Sequence, residues 1–412
     1  MTAARLSCII LILVIFFPAS IFSQSDFLRV TAPGNRQLRL AIAAPAALGE
    51  QDAKSAAELA AILQFDLEMT GIFQVAAAEA GLDSDLLLKT SYAASAERIT
   101  LEFRLVEVQT GRELLAKRYS AARADQRRTA HTFADDIIFS LTGERSPFTA
   151  KLAFISTVTG NKEIHLMDWD GHNDRKLTSN GSINLNPEFS PSGKELIYTS
   201  YKRGNPDLYR RELVTGTEAR ISANQGINIT GAYSPDGSRI ALAMSKDGNS
   251  EIYLINKEGK QLARLTKNPA IDLSPTWSPD GRSIAFVSDR LGKPQIFVMS
   301  SDGSNPRRLT TSGAYNVSPR WSPQGDKIAY CRQYGSRFQI HVINPDGSDD
   351  RQLTFDGSSE HPRWSPDGRF IVFSSKRGGS EAIYTMRADG TAQTKISRTA
   401  GAHSHPTWSS RL

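Results

Sequence analysis

The sequence predicts a mainly β fold, a six-bladed β-propeller preceded by a small α/β domain. The first observation is an internal repeat, of which the stretch WSPDGRSIAFVSDR at residues 277–290 is one copy. A period of about 40–45 residues with strand-like content is typical of propellers, in which each repeat forms one four-stranded blade. The serine of the S-P-x-G turn recurs at intervals of 44, 44, 44 and 43 residues, at Ser190, Ser234, Ser278, Ser322 and Ser365.

A second mark, Leu-Thr or a near equivalent, sets the number of blades. It occurs six times with the same period, and each copy closes a strand-like stretch. We therefore expect six blades. The copies begin at Leu177, Ile221, Leu265, Leu309, Leu353 and Ile396.

Each repeat divides into four strands. In the third full copy they cover residues 275–277, 283–288, 294–300 and 307–310. The second strand is apolar on both faces, which suits a blade packed between two others. An aromatic residue precedes each S-P-x-G turn, and we expect it to wedge between blades: Phe189, Tyr233, Trp277, Trp321, Trp364 and Trp408.

The two ends of the repeat region complement each other. The first copy begins with a second strand at residues 151–156, and the chain ends with a first strand at residues 406–410. We expect the C-terminal strand to complete the first blade, because this pairing closes the ring and covers the edge strands.

The start of the chain predicts export. Arg5 is followed by an apolar run at residues 8–17, then by Pro18 and small residues up to Ser23, which is the pattern of a signal peptide. The alternative is a membrane anchor, but ten apolar residues reach only about half of the ~20 needed to span a bilayer. Three regions follow: a signal peptide (1–23), an α/β domain (24–145) and the propeller (146–412).

The α/β domain lacks the repeat. Apolar residues alternate at residues 38–42 and 99–105, as in strands, and recur with helical spacing at residues 53–70 and 124–142. The second of these helices should end at Gly143. The stretch at residues 114–121 should return as a hairpin partner.

Composition narrows the function. The net charge is +6, but no run of like charges occurs, so we expect no nucleic-acid partner. Cys331 is the only cysteine after the signal, and we expect it to pack as a small hydrophobe. There is no G-x-S-x-G elbow, phosphate-binding glycine loop or Cys/His cluster, which argues against a serine hydrolase, and we expect no required cofactor.

The longer loops, at the end away from the tight turns, should carry function. Polar residues lie five and three positions before each wedge aromatic, and we expect them to ring the mouth of the central channel. A wet, polar mouth without a specific role is the alternative. Lysines and arginines in the neighbouring loops add a basic rim that suits an acidic partner. The polar residues are Asn184, Asn228, Asp272, Asn316, Ser359 and His403, and Asn186, Thr230, Ser274, Ser318, His361 and His405.

Two metal sites are conceivable at this mouth. His361, His403 and His405 fall near one edge and could bind a transition metal, as in propeller sugar-acid lyases, although their place in the repeat explains them equally well. Asn and Asp oxygens could instead hold Ca²⁺ in the channel. The alternative function is thus an exported propeller enzyme or ligand-binding propeller that depends on a metal.

The chain resembles the TolB family of the Tol-Pal system. The resemblance rests on TGRELLAKRYSA (residues 110–121), on AHTFADDIIFSLTGERSPFTAKLAFIS (residues 130–156) and on the repeats, and it covers nearly all of the chain after the signal. It implies a non-enzymatic periplasmic interaction protein that supports outer-membrane integrity and cell division. We expect a monomer that meets membranes only through its partners.

The resemblance also implies two partners. The lipoprotein Pal should bind the propeller mouth, including Ile227, Thr230 and Leu273. TolA should bind the stretch that follows the signal, which comprises Ser25, Asp26, Phe27, Leu28, Arg29 and Val30.

Overall fold

The computed structural model describes residues 36–49, 52–78 and 83–411. It confirms the predicted fold class, a six-bladed β-propeller with a small N-terminal α/β region. The predicted signal peptide and the predicted TolA segment, Ser25 to Val30, lie outside the described residues. In the part of the chain that the structure describes, no helix is both long and apolar enough to cross a membrane.

The N-terminal region is a sheet with two helices, in the strand order β3-β1-β4-β5-β6, with β2 beside β4. β1 pairs in parallel with β3 and β4, and the later strands are antiparallel. Asp52 begins the first helix by accepting a hydrogen bond from the Ser55 backbone N–H, and Gly143 ends the second at φ 72°, as predicted. The elements are β1 (Leu38–Ile42), β2 (Ala46–Ala47), α1 (Ala53–Met69), β3 (Phe73–Ala77), β4 (Leu86–Ala94), β5 (Arg98–Glu107), β6 (Glu113–Ala122) and α2 (Gln126–Thr142).

The propeller consists of six four-stranded antiparallel sheets. Five blades follow the chain in order, each from its innermost to its outermost strand. They are β10 (Asn184–Phe189), β11 (Glu195–Ser200), β12 (Asp207–Glu212), β13 (Glu218–Ser222); β14 (Asn228–Tyr233), β15 (Arg239–Met244), β16 (Glu251–Asn256), β17 (Gln261–Arg264); β18 (Asp272–Trp277), β19 (Ser283–Ser288), β20 (Gln295–Ser300), β21 (Arg307–Arg308); β22 (Asn316–Trp321), β23 (Ile328–Tyr334), β24 (Arg337–Ile343), β25 (Arg351–Gln352); and β26 (Ser359–Trp364), β27 (Phe370–Ser375), β28 (Ala382–Arg387), β29 (Thr394–Lys395).

The remaining blade closes the ring, as the sequence predicts. It combines β30 (His403–Trp408) with β7 (Lys151–Ser156), β8 (Glu163–Asp168) and β9 (Arg175–Lys176). β30 lies antiparallel to β7, with Trp408 opposite Leu152. The chain therefore brings its last strand back to its first blade, and no innermost edge is left unpaired.

The repeated residues hold the blades together. Second strands are buried on both faces: Ile284 and Ala285 are both fully buried. The threonine of the Leu-Thr mark accepts a hydrogen bond from the third strand, as Thr266 Oγ1 does from the Ile252 N–H at 2.9 Å. The wedge aromatics reach the preceding blade, since the indole N–H of Trp277 donates to a backbone carbonyl there at 3.2 Å. Cys331 is buried in β23, in agreement with its predicted packing role.

The N-terminal region packs against the end of the propeller that carries the tight turns. The indole N–H of Trp169 donates to Asp66 of α1 at 3.0 Å, and the Asp66 carboxylate also bonds His131 Nδ1 at 2.7 Å. On the neighbouring blade, the Arg387 guanidinium donates to the carbonyls that end α1. Among the described residues, these contacts with the N-terminal region are made at the turn end of the propeller.

Candidate protein-binding face

The end of the propeller opposite the tight turns is built from two sets of loops, which we call the loop face. One set joins each outermost strand to the next innermost strand, and the other joins second to third strands. The loops cover residues 157–162, 177–183, 201–206, 223–227, 245–250, 265–271, 289–294, 309–315, 335–336, 353–358, 376–381 and 396–402.

The polar residues five positions before the wedge aromatics do not line the mouth. Each is the first residue of an innermost strand, and all six are at most 1% exposed: Asn184, Asn228, Asp272, Asn316, Ser359 and His403. The expectation that they ring an open mouth is therefore wrong. Their polarity has a structural cause, because the loops in front of them have backbone groups that need partners.

Asn228 shows how these residues act. Its Oδ1 accepts hydrogen bonds from Ser222 Oγ at 2.7 Å and from the Asn224 N–H at 3.1 Å, and its Nδ2 donates to the Asn224 carbonyl at 2.8 Å. The side chain thus ties the preceding loop to the innermost strand. Glu163 has a similar role in the first blade, where its carboxylate accepts from the backbone N–H groups of Asn180 and Gly181 at 3.0 and 2.9 Å.

About half of the predicted basic rim is committed to internal contacts. Asp272 holds the guanidinium of Arg290 at 3.0 Å, and Arg332 is buried against Asp350. Lys202 pairs with Glu218, and Arg377 donates to the hydroxyls of Ser359 and Ser375. Four cations of the predicted rim remain exposed and form no ion pair with described residues: Lys162, Arg203, Lys293 and Lys376.

The residues three positions before the wedges are half-buried and share an unusual backbone. Each has a positive φ, between 51° and 57°, at a point where the innermost strand shifts its register. Such a conformation costs an ordinary residue about 1–2 kcal/mol, so the bulge must be stabilised by the strands around it. The six are Asn186, Thr230, Ser274, Ser318, His361 and His405.

The three histidines do not form a common metal site. His361 and His405 stack with ring centroids 3.6 Å apart, whereas His403 is buried in its blade and its Nε2 contacts the Thr399 carbonyl at 3.0 Å. Burial lowers the pKa of His361 to about 4, and Lys162 and Lys376 act in the same direction, so its ring is neutral at pH 7.

The oxygens on which the calcium prediction rested are also engaged. Asp272 is bound to Arg290 and Asn268, and Asn228 is bound to its loop. These residues do not fit a channel Ca²⁺, and the calcium prediction gains no support from them.

The sequence analysis missed the most distinctive property of this face, its exposed apolar side chains. Seven of the twelve large apolar residues that are exposed in the described part of the chain belong to these loops or their edges. Phe355 is 70% exposed and Leu291 is 62% exposed. We call the set the loop-face apolar patch: Val158, Ile183, Ile271, Leu291, Tyr315, Tyr334 and Phe355.

A positional signal could have found part of this patch. Ile183, Ile271 and Tyr315 each stand directly before the buried polar residue that begins an innermost strand, and Ile227 occupies the same position in a fourth blade. The predicted partner residues Ile227, Thr230 and Leu273 are half-buried beside it. Large apolar side chains exposed together on one face of a protein often mark a protein-binding site.

These features define a class: a six-bladed β-propeller with a small α/β domain at one end and a candidate protein-binding face at the other. Residues 139–412 match the family model of the TolB beta propeller domain, and residues 27–84 match that of the TolB amino-terminal domain. The chain belongs to the TolB family.

Curated relatives agree over part of the chain. The Tol-Pal system protein TolB of Geobacter sulfurreducens is 57% identical over 190 residues, and that of Geobacter metallireducens is 58% identical over 203 residues. These alignments cover 42% and 45% of this chain, and 44% and 47% of the relatives. This chain therefore matches a little under half of each relative's length.

Solved structures show the same fold. TolB from Acinetobacter baumannii superposes with a TM-score of 0.81 at 24% identity and covers 91% of this chain and 97% of its own. A putative TolB from Agrobacterium tumefaciens gives a TM-score of 0.51 at 24% identity, with 62% and 91% covered.

Proposed function

We propose that the chain is a non-enzymatic, monomeric interaction protein of a periplasmic Tol-Pal system, and that its loop face binds the lipoprotein Pal. Supporting the system's role in outer-membrane integrity and cell division would follow from this binding. The name shared by the Geobacter relatives supports the system. The loop-face apolar patch is the observation that carries the binding role.

The physical argument rests on where apolar side chains are left exposed. The loop face has ample polar side chains, but Asn228, Asp272 and their equivalents are turned inward to hold the loops. Large apolar side chains such as Leu291 and Phe355 are left exposed, and burying them against a partner is favourable. Aromatic residues such as Tyr315 and Phe355 are the kind that dominate binding energy in protein interfaces.

The exposed cations add a second feature to the same face. Lys162 and Lys376 stand free of ion pairs with described residues, next to the channel mouth. Charges at the rim of an interface mainly speed association with a partner of opposite charge. We therefore expect the Pal surface that meets them to be acidic.

The second partner, TolA, is assigned to residues 25–30, from Ser25 to Val30. This part of the proposal is supported by the resemblance and by the match of residues 27–84 to the amino-terminal domain family.

The test is calorimetric titration of the mature protein with soluble Pal from the same organism. Replacing Phe355 and Ile271 together by serine should weaken binding at least about tenfold, or ~1.4 kcal/mol. The matched control is Val214→Ser, which also removes an exposed apolar side chain, 87% exposed, but at the opposite end. Unchanged affinity in the double variant, or no binding by the folded wild type, would contradict the proposal.

Association kinetics test the rim separately. Lys162→Glu with Lys376→Glu should slow association severalfold and reduce its dependence on salt. Lys257→Glu, an exposed lysine in the turn after β16, should change neither. Equal on-rates in all three proteins would remove the steering role.

A further inference from the structure

A second concave site lies at the other end of the channel. It is a funnel of about 410 Å³, with walls formed by the six wedge aromatics and by prolines of the S-P-x-G turns, among them Pro279 and Pro323. We call it the turn-end funnel. It is distinct from the loop face, and the proposed Pal binding does not use it.

The floor of the funnel is a ring of six side chains. Strand geometry places the residue directly before each wedge aromatic on the channel side of its innermost strand. The ring carries two arginines on neighbouring blades and a single carboxylate. Its members are Glu188, Ala232, Thr276, Arg320, Arg363 and Thr407.

The charges in this ring do not balance. Glu188 lies 3.0 Å from the guanidinium of Arg363, and this ion pair spans the channel. Arg320 forms no ion pair with any described carboxylate. One positive charge is therefore left uncompensated in a narrow, partly buried space.

The three nitrogens of the Arg320 guanidinium differ in their contacts. Its Nη1 donates to the Pro319 carbonyl at 2.8 Å, while its Nε is buried without a partner and its Nη2 makes no hydrogen bond with described residues. Because Nε is enclosed by the protein, Nη2 is the guanidinium nitrogen left to donate to a carboxylate oxygen. A partly buried charge of this kind is stabilised when an anion binds it.

The walls indicate what else the ligand carries. Tryptophan and proline side chains offer apolar faces, and a volume of this size is in the range of small-molecule pockets. A bare inorganic ion would leave those faces wet. An organic anion with an apolar or aromatic body would cover them.

We propose that the turn-end funnel binds a small organic monocarboxylate, with its carboxylate on Nη2 of Arg320 and its apolar body against the tryptophan walls. The carboxylate can belong to a free acid or to the C-terminus of a peptide. Both sources present the same chemistry to Arg320.

Calorimetry with phenylacetate and with acetyl-phenylalanine tests the two sources. We expect saturable one-to-one binding of at least one of them, and none of the uncharged phenylacetamide or acetyl-phenylalanine amide. Four of the five tryptophans line the funnel, so tryptophan fluorescence should change with the same affinity. No saturable binding of either acid, or equal binding of the amides, would overturn the proposal.

Variants assign the binding to its residues. Arg320→Gln should weaken it at least tenfold, and Arg320→Lys, which keeps the charge without the fork, should fall between Arg320→Gln and wild type. Arg282→Gln removes an exposed arginine from an S-P-x-G turn outside the funnel and should bind as wild type. Wild-type affinity in Arg320→Gln would rule out this site.

Glu188→Gln should change the affinity for phenylacetate in the opposite direction to the Arg320 variants. Removing the carboxylate frees Arg363, so the affinity for phenylacetate should rise severalfold. This variant keeps the proposal testable if Arg320 variants fold poorly, and weaker binding in Glu188→Gln would contradict it. Titration of the same preparations with Pal tests the proposed binding to the loop face separately from binding to the funnel.

Discussion

The two ends of the propeller differ in which side chains they bury and which they expose. At the loop end, polar side chains such as Asn228 and Asp272 are buried and apolar ones such as Phe355 are exposed. At the turn end, aromatic side chains face inward around a funnel, and charged groups are buried in a junction with the N-terminal region. Short turns satisfy their own backbone, whereas long loops need internal polar partners. The loop end is therefore left with apolar side chains for a partner.

The largest effect should come from breaking the ring that holds both ends. Deleting residues 403–412 removes β30, exposes the edge of β7 and leaves the first blade with three strands. We expect no folded propeller, measured by circular dichroism and by protease resistance.

A shorter truncation provides the control. Removing residues 411–412 keeps all of β30 and, among the described residues, removes the ion pair of Arg411 with Asp135, so the variant should stay folded. A cooperative, wild-type-like unfolding transition without β30 would show that closure is dispensable.

The second largest effect on stability should come from the contact between the N-terminal region and the turn end of the propeller. Trp169 is fully buried, donates to Asp66 and stacks on Phe148 with centroids 5.0 Å apart. Trp169→Ala should lower the free energy of unfolding by about 3–5 kcal/mol, because it opens a cavity and removes the donor of one of the two Asp66 carboxylate oxygens. Chemical denaturation measures this, and a loss below 1 kcal/mol would show that the two regions are not coupled through this residue.

A polar residue at the loop end should matter less. Asn228→Ala leaves the Asn224 N–H and the Ser222 hydroxyl without their acceptor and should cost about 1–3 kcal/mol. Gln225→Ala changes an exposed side chain of the same loop and should cost less than about 0.5 kcal/mol. Equal stabilities of the two variants would contradict the loop-holding role.

The buried charges make the stability of the turn end depend on alkaline pH. Burial alone would lower the pKa of His131, but the carboxylates of Asp66 and Asp170 outweigh it and raise the pKa to about 10; Arg127 and Trp169 complete the cluster. The folded pKa exceeds the ordinary value of 6.5, so this stabilisation is complete below pH 6.5 and is lost as pH rises towards 10.

The titration of His131 changes the free energy of unfolding by at most about 1.4 kcal/mol per pH unit. Burial raises the pKa of Asp66 to about 6, so its own titration ends before this window. The free energy of unfolding should fall more between pH 7 and pH 9 in the wild type than in His131→Asn. Parallel pH profiles would show that His131 is not charged in the folded protein.

The repeat predicted the propeller because blade geometry depends on turns and two-sided apolar strands, which local sequence displays directly. The closure by β30 followed from the same pattern. The burial of Asn184, Asn228 and Asp272 was predicted wrongly, because polarity alone does not separate a side chain that binds its own loop from one that faces solvent. The choice depends on whether backbone N–H and C=O groups of the loop lack hydrogen-bond partners. That is known only once the loop is folded.

The sites themselves were harder to predict, for a different reason. Ile271 and Tyr315 look like core residues by composition, yet they precede the strand and lie outside it. Arg320 and Arg363 occupy strand positions that alternate towards the channel, but only the closed ring brings Glu188 to one of them and leaves the other unpaired. Such pairings between distant blades do not follow from the spacing of residues in one repeat.

Substitution of the exposed apolar side chains should have the smallest effect on stability. It is also the most direct test of the difference between the two ends of the propeller. Phe355→Ser removes a ring that is 70% exposed and should change the free energy of unfolding by less than about 0.5 kcal/mol. The matched control is Phe373→Ser, in the fully buried core of the next blade, which should cost several kcal/mol. A large loss in Phe355→Ser would mean that the ring packs against its own loop and that the apolar patch is structural. A negligible loss leaves partner binding as the physical reason for an aromatic side chain at this position.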